Sequence, residues 1–78
     1  MPRFFFNFRD DVSVEDTEGK VLPDEAKALE MAVIYARDIM SEDVKEGRLV
    51  LKDEIDVVDE KGDRILTLPF REAIDIEE

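Results

Sequence analysis

The chain has 78 residues, with 22 acidic and 11 basic side chains, a net charge of −11, no cysteine and no histidine. Disulfides and thiolate metal sites are therefore excluded, and a reducing cytoplasm is the expected location. The acidic balance argues against nucleic-acid backbones, which need clustered Lys and Arg, and against anionic membrane surfaces.

The length predicts one domain spanning residues 1–78, with residues 75–78 frayed, and one modest core. The chain opens "MPRFFFNF". The apolar run Phe4–Phe6 is too short for the core of a signal peptide, and Arg9-Asp10-Asp11 follows at once. No segment approaches the roughly 20 apolar residues that span a bilayer.

Residues 3–8 alternate as a strand. Phe4, Phe6 and Phe8 share one face, with Phe5 and Asn7 on the other. A turn at Asp10-Asp11 and a second alternating run over residues 12–15 predict a β-hairpin over residues 3–15. Asp16-Thr17-Glu18-Gly19 reads as a turn.

Pro23-Asp24-Glu25 opens a long helix that Gly47 closes after Lys45. Leu29, Ala32, Val33, Ala36, Ile39 and Met40 form a stripe about 120° wide that predicts its core face, with Phe4, Phe6 and Phe8 beneath Leu29, Val33 and Ala36. Continuing that stripe reaches Asp43, so the last turn is expected to overhang the sheet. Met31, Ile34 and Tyr35 form a separate cluster, predicted to be exposed and adjacent.

Arg48–Leu51 reads as a linker or short strand. Residues 54–59 and 64–68 predict a second hairpin around Glu60-Lys61-Gly62-Asp63, ended by Pro69. Residues from Phe70 onward suit one helical turn before an acidic tail. "VSVEDTEG" (12–19) echoes "IDVVDEKG" (55–62), and shared turn chemistry accounts for this without a repeat fold.

The order strand, strand, helix, strand, strand predicts an α+β fold, ββαββ. One long helix packs on one face of a small, mainly antiparallel four-stranded sheet. Phe5, Val58, Ile65 and Thr67 would face the other way. That leaves an apolar second face to be covered by the tail, through Ile74 and Ile76, or by another subunit.

Little chemistry is available. Without His or Cys, the common acid–base switch and the soft nucleophile are missing, and Ser13 and Ser41 have no base to activate them. Gly19, Gly47 and Gly62 stand alone, so there is no phosphate loop. Carboxylates cluster near strand ends, but neither acid–Gly turn has the alternating ligands of a calcium loop. The expectation is no enzyme, no catalytic residue, no metal and no cofactor.

The motifs "MPRFFFNFRDD", "DTEGKVLPDEAKALEMA" and "VVDEKGDRILTLPFREA" together resemble a family of small proteins of unknown function common in alphaproteobacteria. The matching positions are Pro2-Arg3, Gly19, Leu22-Pro23-Asp24, Gly62 and Leu68-Pro69-Phe70. Many members carry histidine in the first strand, where this chain has Asn7. The resemblance implies a free-standing cytoplasmic protein and brings no activity with it.

Two functional expectations remain. One is a self-associating interaction module, a homodimer that buries Phe5, Met31, Ile34 and Tyr35. The other is an acidic decoy or regulator that binds a basic protein partner.

Overall fold

The computed structural model describes residues 1–10 and 13–77. Five strands and one helix appear among them: β1 (Arg3–Arg9), β2 (Ser13–Val14), β3 (Lys20–Val21), α1 (Glu25–Lys45), β4 (Glu54–Val58) and β5 (Arg64–Pro69), followed by a 3₁₀ turn at Phe70–Glu72. The α+β class is as expected, but the sheet has five strands rather than four. Asp11, half of the expected first turn, and Val12, the first residue of the expected second run, lie outside the described residues.

The extra strand arises because one edge position is split. β2 and β3 both pair antiparallel with β1, at opposite ends: Phe8 faces Val14, and Phe4 faces Lys20. β1 then pairs with β4, and β4 with β5, all antiparallel. Residues 48–51 form no strand.

Alternation in β1 sorts the phenylalanines as predicted. Phe4 is buried, and Phe6 and Phe8 pack against the core, which also takes Ile55 and Val57 of β4 and Leu68 of β5. The register explains the layer: Phe6 lies opposite Val57, and Phe8 opposite Ile55. Ile65 was expected on the far face. A register shift at Val57/Val58 interrupts the β4–β5 ladder, and Ile65 packs against the core instead.

The far face is more polar than the sequence suggested. Arg9 bridges Glu54 at 2.8 Å and Asp56 at 3.2 Å. The Thr67 hydroxyl donates to Asp56 at 2.6 Å. Alternation places these side chains beside Phe5 and Val58, so an ion-pair network occupies much of the surface predicted to need a cover.

The helix begins where a cap is available. Asp24 is extended, and its carboxylate accepts from Lys27 N at 2.8 Å, satisfying a backbone donor that the first turn leaves open. It ends in a Schellman arrangement. Gly47, at φ 87°, donates to the Val44 carbonyl, and Arg48 N donates to that of Asp43. Only glycine takes that left-handed conformation at low cost.

The buried face of α1 is Ala28, Ala32, Ala36 and Met40, a spacing of four. The predicted stripe holds at Ala32, Val33, Ala36, Ile39 and Met40 and is corrected at Leu29. Leu29 is 43% exposed, while Met31 and Tyr35 turn in to pack against the core. An alanine ridge lets the helix approach the sheet closely, and bulkier residues settle on its flanks. Beyond Met40, Asp43 is half-buried and Val44 exposed, in keeping with an overhanging last turn.

The helix packs chiefly on β4, β5 and the 3₁₀ turn. That turn is the helical turn expected from Phe70, and it contributes to the core. Phe70 is fully buried and its ring lies 5.6 Å from that of Phe8. Phe70 N donates to the Asp53 carbonyl, and Arg37 Nε donates to the Ala73 carbonyl at 2.7 Å.

Candidate interaction groove

Because α1 sits over β4 and β5, the helix-facing side of β1 is only half covered. Phe6 and Phe8 remain partly open. A groove of about 320 Å³ runs between them and the helix, lined also by Tyr35, Asp38, Ile39, Ile55 and Asp16. The Tyr35 ring meets Phe6 edge to face, with centroids 5.1 Å apart and planes at 79°. In such a pair, one ring keeps both faces uncovered by the other.

The groove's outer lip is the loop between β2 and β3, held by one carboxylate. Asp16 Oδ2 accepts from Phe6 N at 3.2 Å. Its Oδ1 accepts from Glu18 N at 3.1 Å and Gly19 N at 3.0 Å. In return, Asp16 N donates to Asn7 Oδ1 at 2.9 Å. Asp16 thus replaces a strand's backbone at the point where the edge of β1 would be unpaired. Burial alone would raise the Asp16 carboxyl; the N–H groups of Gly19, Phe6 and Glu18 outweigh it and hold the carboxyl below its ordinary value. A fixed anion therefore stands at the groove. Asp38, on an exposed part of α1, has no ion pair among the described residues.

Next along the helix lies a second hollow of about 250 Å³, sharing Phe8 and Ile39 with the first. Its lining mixes Asp10, Asp43 and Asp53 with Arg48 and Lys52. The two hollows differ in one respect: the second contains its own cations and the first does not. Among the described residues, no group of three or more carboxylates is placed to hold a metal ion.

The profile of the domain of unknown function DUF6894 matches residues 3–71. The chain belongs to that family. No curated protein and no solved structure matches it. The matched span contains every lining residue of the groove, both acid–Gly turns and the buried Phe70.

The four residues expected to bind a partner are not brought together. Phe5 lies on the far face of β1 beside the Gly19 loop, while Ile74 of the tail packs against the core and Ile76 is exposed. A Cβ at Gly19 would stand 2.8 Å from the Phe5 ring and 2.8 Å from the Phe4 carbonyl oxygen. Met31 and Tyr35 pack on the core, leaving Ile34 as the exposed member at 42%. Tyr35 is the one that reaches the groove.

Phe6, Phe8, Asp16 and Asp38 were missed as site residues. The phenylalanines read as core, and their partial exposure depends on where the helix lies across the sheet. The acid–Gly spacing announced the Asp16 turn, but not its reach across to Phe6.

Proposed function

We propose that this protein is a small, acidic, non-enzymatic interaction module that docks a basic partner segment in the groove between α1 and β1. The observation that carries the reading is the half-open floor of Phe6, Phe8 and Tyr35 with Asp16 and Asp38 at its rim. Ligand sites combine an apolar, aromatic surface with a few fixed polar groups, and about 300 Å³ is the lower end of their usual size. The net charge of −11 favours encounter with a basic partner. Lack of His and Cys supports binding over catalysis, and a cysteine-free chain suits the cytoplasm. No helix among the described residues is long and apolar enough to cross a membrane.

Self-association is the second reading, favoured by exposed Ile34 with half-exposed Met31 one turn before it. Light scattering at micromolar concentration separates the two. A dimer returned to monomer by Ile34→Asp supports self-association, and a monomeric wild type removes it.

The docking reading is tested by amide NMR titration with octapeptides graded in basic and apolar content. Shifts at Phe6, Phe8, Tyr35 and Ile39, reduced by Asp38→Lys and kept by Ile34→Asp, are the expected result. Peptides that leave these four residues unmoved at millimolar concentration overturn it.

A further inference from the structure

We infer that the groove is a receptor for an arginine side chain of a partner protein. The inference rests on the docking reading and adds the identity of the group that enters.

Three observations converge on a guanidinium. The first is charge. Asp16 and Asp38 line the groove with no basic residue among its lining, whereas the adjoining hollow holds Arg48 and Lys52 among its acids. The cation that complements the first groove must come from outside. The second is preorganisation. Three backbone N–H groups fix Asp16 in place and keep it ionised. An ionised carboxylate has about four acceptor positions, so three bonds leave one for a ligand. The third is the wall. Phe6 and Tyr35, whose rings meet at 79°, both line the groove, so it offers aromatic surface as well as carboxylates.

Arginine uses all three. Its planar guanidinium stacks on aromatic faces, has five donors in a fixed fork and is weakly hydrated. Lysine satisfies the charge but cannot stack in the same way. The methylene stem of either would lie along Phe8 and Ile55 on the apolar floor.

The probes are the blocked tripeptides acetyl-Leu-Arg-Leu-amide and its citrulline, lysine and norleucine analogues, followed by amide NMR on the full chain. Citrulline keeps the planar shape of arginine and about three of its five N–H donors, but carries a carbonyl oxygen in place of one nitrogen and has no charge. The arginine peptide should shift Phe6, Tyr35 and Asp38 and bind about 10-fold more tightly than the citrulline peptide, given two partly exposed carboxylates. The lysine peptide should fall between them.

Asp38→Asn tests the site without touching the Asp16 loop. It should cut the arginine-over-citrulline preference at least about threefold and leave citrulline binding unchanged, as expected when one exposed charge is lost. Equal binding of arginine and citrulline in the groove overturns the arginine inference while docking stands. Shifts from the arginine peptide at other acidic clusters, with the groove silent, also overturn it. Failure of all four peptides to move groove residues removes both readings.

Discussion

At the scale of single residues, Asp16 carries the largest consequence. It accepts from three backbone N–H groups on two segments. Asparagine offers one carbonyl oxygen and turns its amide toward at least one donor, so Asp16→Asn should cost about 1–3 kcal/mol. The depressed carboxyl gives this loss a pH signature. Stabilisation by Asp16 is fully present above the unfolded carboxyl value of about 3.9 and is lost as pH falls through the lower folded value. Urea unfolding of wild type and variant should therefore differ most at pH 6–7 and converge on acidification below about 4. A difference that stays constant down to pH 2 would sink this account. Gly19 has φ 69°, and a Cβ there would stand 2.8 Å from the Phe4 carbonyl oxygen and from the Phe5 ring, whereas a Cβ at Gly47, with φ 87°, would meet nothing within 4 Å. Gly19→Ala should cost about 2–4 kcal/mol, combining backbone strain with overpacking, and Gly47→Ala about 1–2 from strain alone. Equal losses by urea midpoint would show that the Phe5 contact is immaterial. The sequence made both glycines legible as turn positions, and the echo between residues 12–19 and 55–62 is turn chemistry. Asp59 Oδ1 accepts from Lys61 N and Asp63 N much as Asp16 serves Glu18 and Gly19. The cross-strand bond to Phe6 had no local signature, because it depends on which edge of β1 is left open.

At the scale of elements, α1 was legible in its ends and in most of its core stripe, and misread at Leu29, Met31 and Tyr35. Asp24, Gly47 and the break near Met40 all follow from local rules. The burial of Ala28 in place of Leu29 does not, because hydropathy ranks leucine above alanine. What decides the face is how closely the helix can lie on the sheet, and three fully buried alanines allow the closest approach. Ala32→Leu should therefore cost about 1–3 kcal/mol through overpacking. Leu29→Ala should cost less than about 1 kcal/mol, against 2–5 for a core leucine. Thermal or urea midpoints that reverse this order would restore the stripe expected from the sequence. The same off-centre seating leaves Phe6 and Phe8 half open, so the groove follows from the alanine ridge. Local pattern could assign β1 to the core but could not say that one side of it would stay accessible. Phe70 was missed for a related reason. The helical turn from Phe70 was expected, but not that Phe70 is fully buried and closes the core beside Phe8.

At the scale of the whole molecule, charge opposes folding and, on the proposed docking reading, favours binding. A net charge of −11 is confined to a body of 40 × 25 × 16 Å. At 0.01 M salt the screening length is about 30 Å, so acids across most of the protein repel one another. The exposed pairs Lys27–Glu30 and Lys45–Glu42, both three residues apart on the helix, offset little of this. Raising sodium chloride from 0.01 to 0.3 M shortens the screening length severalfold and should stabilise the fold. If the relief is worth about 1 kcal/mol, the melting midpoint should rise by about 4–8 °C for a domain of this size. Circular dichroism melts over that range test the sign. A midpoint that falls with salt would mean that attractive pairs such as Arg9 with Glu54 and Asp56 outweigh the repulsion. Arginine-peptide affinity should move the opposite way, since the carboxylates that destabilise the free protein attract the ligand. Salt that strengthens the fold while weakening the complex would tie the acidity to partner recognition, because acidity kept only for solubility predicts the first effect without the second.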